Sequence, residues 1–127
     1  MEQYLIDTNV VSDYFSVSFS AAGMTFMDKV IDATPNLSII SQIELLCWKA
    51  DIATERYVHN FIADSNVFDI SPEVVDRCVR LRKSKKIKTP DAIIAATALA
   101  YNYTLITNNE KDFCNIKGLK IINPNKL

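Results

Sequence analysis

The sequence predicts a single α/β domain built around a mainly parallel sheet of about five strands. Short apolar runs rich in β-branched residues recur along the chain, and longer segments with helical spacing separate them. Strands that alternate with helices favour a parallel sheet, because each helix returns the chain to the end of the sheet at which the previous strand began. A chain of 127 residues can bury a core of its own without disulfides or metals.

The strand candidates are runs of β-branched or aromatic residues at positions 4–6, 37–40, 67–70, 105–106 and 119–122. Helical spacing predicts helices over residues 10–15, 22–33, 42–64, 72–85 and 90–101. The segment 42–64 is predicted to break near residues 50–54 into two helices. Residues 90–101 are mostly small and apolar on every side, so this helix is expected to be buried against the sheet.

Composition excludes several classes of protein. Gly23 and Gly118 are the only glycines, and neither lies in a phosphate-cradling pattern, which excludes a P-loop or a dinucleotide fingerprint. The three cysteines, Cys47, Cys78 and Cys114, are odd in number and widely spaced, which argues against a disulfide framework or a zinc site. We expect them to be small core residues in a reducing cytosol.

The amino-terminal sequence MEQYLIDTN has an acid at position 2 and no basic stretch before an apolar run, so we expect no signal peptide. The longest uncharged run, residues 92–109, is interrupted by asparagine, threonine and tyrosine, which argues against a membrane span. These observations predict a cytoplasmic protein with no membrane partner.

Acidic residues follow predicted strands. Asp7 comes directly after the run YLI, although Asp-Thr-Asn is also an ordinary turn and helix-capping signal. After the second strand, Ser41 and Glu44 fit the S-x-x-E capping box. A capping role would explain Glu44, and it would also place the carboxylate one turn from the edge of the sheet.

Two further acids follow later in the chain. Thr89 is predicted as a helix N-cap, with Pro90 as the first helical residue and Asp91 next, where an acid suits the positive helix end. Asp112 follows the strand and polar loop TLITNNEKDF, with Phe113 as an apolar anchor. Ligands of an open parallel sheet bind outside the carboxyl ends of its strands. Four acids from four distant segments therefore predict one shared site.

Taken together, four segments resemble the PIN-domain nucleases, and most closely the VapC-type toxins of toxin-antitoxin pairs. The resemblance covers nearly the whole chain and is carried by YLIDTNVVSDYF, SIISQIEL, TPDAIIAATALA and LITNNEKDF. It implies a three-layer α/β/α sandwich. It also implies that Asp7, Glu44, Asp91 and Asp112 are catalytic, binding magnesium or manganese and cleaving RNA to leave a 5′-phosphate and a 3′-hydroxyl.

The same resemblance implies supporting residues and partners. Thr8 and Asn9 in the opening motif, and Thr107 and Asn109 in the closing motif, match polar positions that hold a metal-bound water or orient a carboxylate. A cognate antitoxin is the implied protein partner, and a homodimer the implied assembly. Residues 16–34 lack signature residues and begin with uncharged, apolar sequence, typical of a helix packed on the core or of an exposed patch that receives the antitoxin.

The residue types fit a hard metal ion. Magnesium prefers oxygen ligands, whereas a transition metal favours imidazole or thiolate. The only histidine, His59, lies on a predicted helix and is expected to be a surface or packing side chain. Clustered carboxylates repel one another without a cation, and a bound metal makes a water molecule a better nucleophile toward a phosphodiester.

The net charge of −1 conceals an uneven distribution. Residues 77–88 contain seven of the 14 lysines and arginines, immediately before Asp91. This basic block is predicted either to draw an RNA backbone toward the acidic site or to be a solvated helix end, since cations favour helix C-termini. The candidate RNA-binding residues are Arg80, Arg82, Lys83, Lys85, Lys86 and Lys88.

Other α/β classes fit less well. An aspartyl-phosphate phosphatase needs a second acid where this chain has Asn9, and a response-regulator receiver needs paired acids after the first strand. Two alternatives to the toxin remain open. One is a PIN nuclease of RNA maturation, and the other is a non-catalytic PIN-like module that binds RNA or a protein.

Overall fold

Strands and helices alternate along the computed structural model, which describes residues 2–127. The strands are β1 (Tyr4–Ile6), β2 (Asn36–Ser38), β3 (Asn66–Phe68), β4 (Thr104–Ile106) and β5 (Ile121–Ile122). The helices are α1 (Thr8–Phe15), α2 (Ala21–Asp32), α3 (Ile39–Leu46), α4 (Ile52–Ala63), α5 (Pro72–Ser84), α6 (Thr89–Tyr101) and α7 (Glu110–Phe113), and a short 3-10 helix follows at Pro124–Lys126.

The strand pairs are parallel. β1 pairs with β4, β4 pairs with β5, and β2 pairs with β3. Because β2 also lies against β1, the strands follow the spatial order β3, β2, β1, β4, β5. The predicted α/β class with parallel strands is confirmed, whereas the single sheet of about five strands is not, since the strands form a three-stranded and a two-stranded sheet.

The hydrogen-bonded ladder is interrupted between β1 and β2, so the strands form one set of three and one set of two. Asn36, which is 5% exposed, spans this gap. Its Nδ2 donates to the Tyr4 carbonyl oxygen at 2.8 Å, and its Oδ1 accepts from Asn66 Nδ2 at 3.1 Å. A single amide side chain therefore links three strands where the prediction placed a continuous sheet.

Helices cover both faces of the strands, as the predicted three-layer sandwich requires. Successive strand residues point to opposite faces, and here Leu5 and Leu105 join one buried cluster while Ile6 and Ile106 join another. The first cluster includes small residues of α6, and the second includes residues of α1, α2 and α4. Burial of α6 is confirmed, because alanines such as Ala92 and Ala95 let its backbone lie close to the sheet.

Residues 16–34 contain α2, whose buried residues are Gly23, Met27 and Val30. The reading of this segment as a helix packed on the core is confirmed, although Val17 before the helix is 68% exposed. A Cβ atom on Gly23 would lie 2.5 Å from the carbonyl oxygen of Pro124. The glycine therefore permits close contact between α2 and the carboxyl-terminal turn.

Most element positions agree with the sequence prediction, with differences at the edges. The break in the segment 42–64 is confirmed, since α3 ends at Leu46 and α4 begins at Ile52. The strand predicted over residues 37–40 ends at Ser38, which caps α3 by accepting a hydrogen bond from the Ile40 amide at 3.1 Å. The loop predicted around Asp112 contains the short helix α7.

The prediction that the cysteines are core residues is wrong. All three are free thiols, with Cys47 and Cys114 exposed and Cys78 half-buried. Cys47 and Cys114 occupy C-cap positions of α3 and α7, where helices end at the surface. His59 is exposed on α4, as expected. Among the helices in residues 2–127, none has the length and hydropathy needed to span a membrane.

The bridge made by Asn36 generates a stability prediction. Replacing Asn36 by Leu keeps a similar volume but leaves the buried Tyr4 carbonyl without its donor, so the free energy of unfolding should fall by about 1 to 3 kcal/mol in urea denaturation. Asn66→Ala, at an exposed residue that loses only the outer bond, is the control and should cost clearly less. Equal stability of Asn36→Leu and wild type would contradict the bridging role.

Candidate active site

Asp7 lies where β1 enters α1. Its backbone amide donates to the Ile106 carbonyl at 2.9 Å, which continues the pairing with β4 beyond the strand itself. Its Oδ1 accepts from the Thr8 amide at 2.9 Å, so Asp7 is the N-cap of α1. The side chain is only 6% exposed. The capping reading is therefore correct, and it accounts for only one of the two carboxylate oxygens.

The second oxygen of Asp7 is bound by Thr107. In the β1–β4 register Ile6 is opposite Ile106, so the next residues, Asp7 and Thr107, come together. Thr107 Oγ1 donates to Asp7 Oδ2 at 2.8 Å and accepts from the backbone N–H of Asn109 at 3.0 Å. Thr107 is fully buried, and its hydroxyl fixes the orientation of the Asp7 carboxylate.

Glu44 lies on α3 and is bound by Thr8. The predicted capping box of Ser41 and Glu44 is wrong, because Ser38 caps α3 and Ser41 lies inside the helix. Thr8 Oγ1 is 2.7 Å from Glu44 Oε1 and 2.9 Å from Ser41 Oγ. A carboxylate only accepts, so the single Thr8 proton is donated to Glu44 and the fully buried Ser41 hydroxyl donates to Thr8. Ser41 thus supports the Thr8–Glu44 contact from a buried position, a role that the sequence did not reveal because Ser41 resembled a helix cap.

Asp91 is half-buried in the first turn of α6. The N-cap of this helix is Lys88, whose side chain makes no capping bond, so the prediction of Thr89 as N-cap is wrong by one residue. Pro90 lies within the first turn, where its missing N–H costs no helical hydrogen bond. The helix therefore presents Asp91 near its positive end, as predicted.

Asp112 is exposed on α7. Asn109 Nδ2 donates to Asp112 Oδ2 at 2.7 Å, so the closing motif orients this acid with an amide. Lys85, at the end of α5, donates from Nζ to the carbonyl oxygens of Asp112 at 3.4 Å and Cys114 at 2.9 Å. These contacts tie the short helix that carries Asp112 to the rest of the domain.

The four predicted acids influence one another electrostatically. Burial raises the pKa of Asp7 to about 6, although hydrogen bonds from Thr107 and Thr8 act in the opposite direction and the nearby Asp91 and Glu44 carboxylates reinforce the rise. Burial also raises the pKa of Asp91, with contributions from Asp112 and Glu44 and an opposing contribution from Lys88. We call this group of four acids, which come from distant segments and influence one another, the acidic pocket.

This pocket suits a hard divalent cation. Its donors are carboxylate and hydroxyl oxygens, and the mutual repulsion of Asp7, Asp91 and their neighbours is what a cation would relieve. In residues 2–127 no three acidic, histidine or cysteine side chains are close enough to form a finished metal cage. Each of three acids instead accepts a hydrogen bond from its own donor: Asp7 from Thr107, Glu44 from Thr8 and Asp112 from Asn109.

The remaining candidate residues have different surroundings. Asn9 is exposed, and its carbonyl oxygen accepts from the Ser12 hydroxyl, so a supporting role for its side chain stays a prediction. Sequence reasoning missed Asp13, whose carboxylate receives a hydrogen bond from Asn108 beside the closing motif. Periodicity places Asp13 on α1, but only the folded chain brings α1 against the loop after β4.

The family model for the PIN domain matches residues 4–119. Among curated proteins, Ribonuclease VapC1 of Rickettsia felis is 50% identical over 36 residues, a stretch that spans 28% of this chain and 27% of that relative.

Similar solved structures cover nearly the whole chain. A toxin-antitoxin complex from Klebsiella pneumoniae contains a chain that superposes with a TM-score of 0.75 and 32% identity, covering 96% of this chain and 98% of that one. VapBC2 from Rickettsia felis, bound to a DNA fragment from its promoter, gives a TM-score of 0.76 and 24% identity, covering 94% and 97%. At 24% identity, the similarity to VapBC2 shows a shared fold only.

The buried acid generates a prediction on pH and stability in the absence of metal. Well below about pH 4, the ordinary pKa of an aspartate, Asp7 is protonated in both folded and unfolded chains. As the pH rises to about 6 the unfolded chain loses this proton while the folded chain retains it, so the free energy of unfolding falls by roughly 1 to 3 kcal/mol. Asp7→Asn stays neutral and should be more stable than wild type at neutral pH in EDTA.

Urea denaturation from about pH 4 to about pH 7 measures this effect. Asp69→Asn is a matched control, because Asp69 also follows a strand end but is exposed. Its pH dependence should match that of wild type. If Asp7→Asn showed the same pH slope as Asp69→Asn, the unfavourable burial of the Asp7 carboxylate would be refuted.

Proposed function

The chain belongs to the PIN-domain family, and on that premise we propose that it is a metal-dependent endoribonuclease acting as the toxin of a toxin-antitoxin pair. The observation that carries this proposal is the electrostatic influence that Asp7, Glu44, Asp91 and Asp112 exert on one another, with Asp7 at the carboxyl end of β1. A curated relative named as a ribonuclease and a similar chain from a toxin-antitoxin complex support it. The proposed RNA substrate and antitoxin place the activity in the cytoplasm.

The burial of Asp7 argues for a role beyond capping. A serine or threonine caps a helix without the cost of a buried carboxylate, as Ser20, Ser38 and Ser71 do elsewhere in this chain. At Asp7 the fold instead keeps an acid with a raised pKa next to other acids. Raised pKa values from burial and like charge are typical of sites that bind cations or move protons.

Asp7, Glu44, Asp91 and Asp112 would hold magnesium or manganese, with their carboxylate oxygens as ligands. The bound cation would supply an activated water nucleophile and neutralise charge on the phosphodiester. For this binding Asp7 must give up the proton that its raised pKa favours. Thr107 and the Thr8 amide stabilise the resulting carboxylate by donating to its two oxygens.

The supporting residues orient the acids toward the substrate. Thr8, itself hydrogen-bonded to Ser41, orients the Glu44 carboxylate, and the Asn109 side chain orients that of Asp112. In the proposed reaction a water oxygen attacks phosphorus, the bond to the 3′-oxygen breaks, and the departing oxygen takes a proton. The products carry a 5′-phosphate and a 3′-hydroxyl.

Cleavage of pooled cellular RNA by the purified protein tests the proposal. Cutting should require magnesium or manganese, stop in EDTA, and fall by roughly 100-fold or more in Asp7→Asn and Asp91→Asn, because each removes a charged ligand. Asp69→Asn, which removes an exposed acid after β3, should cut at the wild-type rate. Circular dichroism verifies the fold of each variant.

A binding readout separates catalysis from metal binding. Magnesium should raise the melting temperature of wild type and Asp69→Asn, and should raise that of Asp7→Asn much less. Equal cutting by wild type, Asp7→Asn and Asp91→Asn would indicate a contaminating nuclease. Wild type that is folded and binds magnesium but cuts no RNA would favour the non-catalytic binding module.

The antitoxin surface is proposed to lie between α1 and α4. A cavity of about 400 Å³ there is lined in part by Phe15, Trp48 and Tyr57. Tyr57 is 68% exposed and the nearby Ile52 of the same helix is 76% exposed. Exposed large apolar side chains around a cavity favour packing by a protein segment. We propose that an apolar segment of the antitoxin occupies this surface and that the toxin chain forms a homodimer, which light scattering tests.

Tyr57→Glu tests the surface, because it places a charge in the proposed contact. Co-purification with the proposed antitoxin should weaken at least about tenfold, while RNA cleavage by the free toxin is retained. Val75→Glu, at a residue of α5 that is 50% exposed, is the matched control and should leave co-purification unchanged. Equal losses in both variants, or none in Tyr57→Glu, would refute this location.

A further inference from the structure

A cavity of about 350 Å³ opens beside two of the acids. Its lining is Arg82, Lys86, Ile87, Lys88, Asp91 and Asp112. Three of these six side chains are cations and two are acids of the candidate active site. The volume lies at the small end of the range typical of ligand sites.

The basic block is divided by the fold, and only part of it reaches this cavity. Arg80 pairs with Asp76 at 3.0 Å, one turn away on the exposed side of α5. Lys85 donates to two backbone carbonyls and so positions the Asp112 helix. Lys83 is exposed and is not part of the lining. The block therefore does not act as one uniform charged surface.

The three lining cations have no carboxylate partner within residues 2–127. The ion pairs in that range join Arg77 to Glu73, Arg80 to Asp76 and Lys126 to Glu110. Arg82 is instead held by a neutral group, the Thr89 hydroxyl. Its guanidinium thus forms no salt bridge in this range, and its donors suit a phosphate.

The two lysines are placed by the residue between them. Ile87 is 8% exposed and packs in the buried cluster that contains Ala92 and Phe113. Because Ile87 points inward, Lys86 and Lys88 on either side of it point outward and are exposed. Lys88 forms no salt bridge within residues 2–127, although its charge is near enough to Asp91 to oppose the rise in the pKa of that acid.

We propose that Arg82, Lys86 and Lys88 form a subsite for an RNA backbone phosphate next to the phosphodiester that is cut. The inference rests on the proposed function, and it names the substrate contact that the acids alone do not provide. The acidic pocket repels a polyanion, and cations on the adjoining wall offset that repulsion. The ligand is an oligonucleotide with at least two phosphates, one at the acids and one in the cavity.

Two matched double variants test the subsite. Arg82→Gln with Lys86→Gln removes two charges from the cavity, whereas Arg80→Gln with Lys83→Gln removes one arginine and one lysine of the same block outside it. Both are made in Asp7→Asn so that bound RNA is not cut. Fluorescence anisotropy measures the binding of short labelled single-stranded RNA in magnesium at several salt concentrations.

The cavity double should weaken binding by about tenfold or more at low salt and reduce the slope of log K against log salt by roughly 0.7, the contribution of one neutralised phosphate on a single strand. The control double should change binding by less than about twofold. In the otherwise wild-type protein, the cavity double should raise KM more than it lowers kcat. Lys86→Gln and Lys83→Gln, as single variants that do not touch the Thr89 contact, should show the same ranking.

Equal weakening in both doubles, or in neither, would overturn the subsite. That result leaves the nuclease intact if wild type still cuts RNA in a metal-dependent way. Absence of RNA binding by the Asp7→Asn parent would also overturn it, and the cleavage assay with wild type then decides separately whether the nuclease proposal stands. Melting temperatures close to that of the parent show that the variants remain folded.

Discussion

The parallel pairing of β1 with β4 is the interaction on which the rest of the site depends. Its register sets Ile6 opposite Ile106, and the next residue on each strand is polar. Asp7 and Thr107 therefore meet at the end of an apolar ladder, one carboxylate against one hydroxyl. A shift of the register by one residue would turn every side chain of β1 to the opposite face, because strand side chains alternate. The register that buries Ile6 and Ile106 in the core is therefore also the one that brings Asp7 to Thr107.

Around that pair the fold uses neutral donors to control negative charge. Thr107, Thr8 and Asn109 each donate to a different acid, and Ser41 supports Thr8 from inside α3. Hydroxyl and amide donors orient a carboxylate without neutralising it, whereas a lysine or arginine partner would occupy it as an ion pair. The acids stay available to an external cation. Three of the domain's cations, Arg82, Lys86 and Lys88, line the cavity beside Asp91 and Asp112.

Much of this arrangement was predictable from the sequence, for identifiable reasons. The apolar run of β1 ends abruptly at a polar residue, so the sequence identified Asp7 as the residue after the strand. The apolar sequence of α6 likewise predicted a helix with Asp91 in its first turn. Local patterns were less reliable where two residues compete for one role. Ser38 and Ser41 both have the chemistry of a cap, and which of them caps α3 depends on where β2 ends. Contacts between distant segments, such as Asp13 with Asn108 or Lys85 with the Asp112 carbonyl, leave no periodic signal.

The Asp7–Thr107 pair also has a consequence for how the protein is made. The two residues are 100 positions apart, and Asp7 emerges from the ribosome long before its partner. Glu44 follows at an intermediate time, whereas Asp91, Thr107 and Asp112 are all in the last third of the chain. Pairings of such high sequence separation form only after the intervening chain is available. A nascent chain that has not yet reached Thr107 therefore has no assembled acidic site, and a protein proposed to cut RNA gains that site only after residues 107–112 have been synthesised.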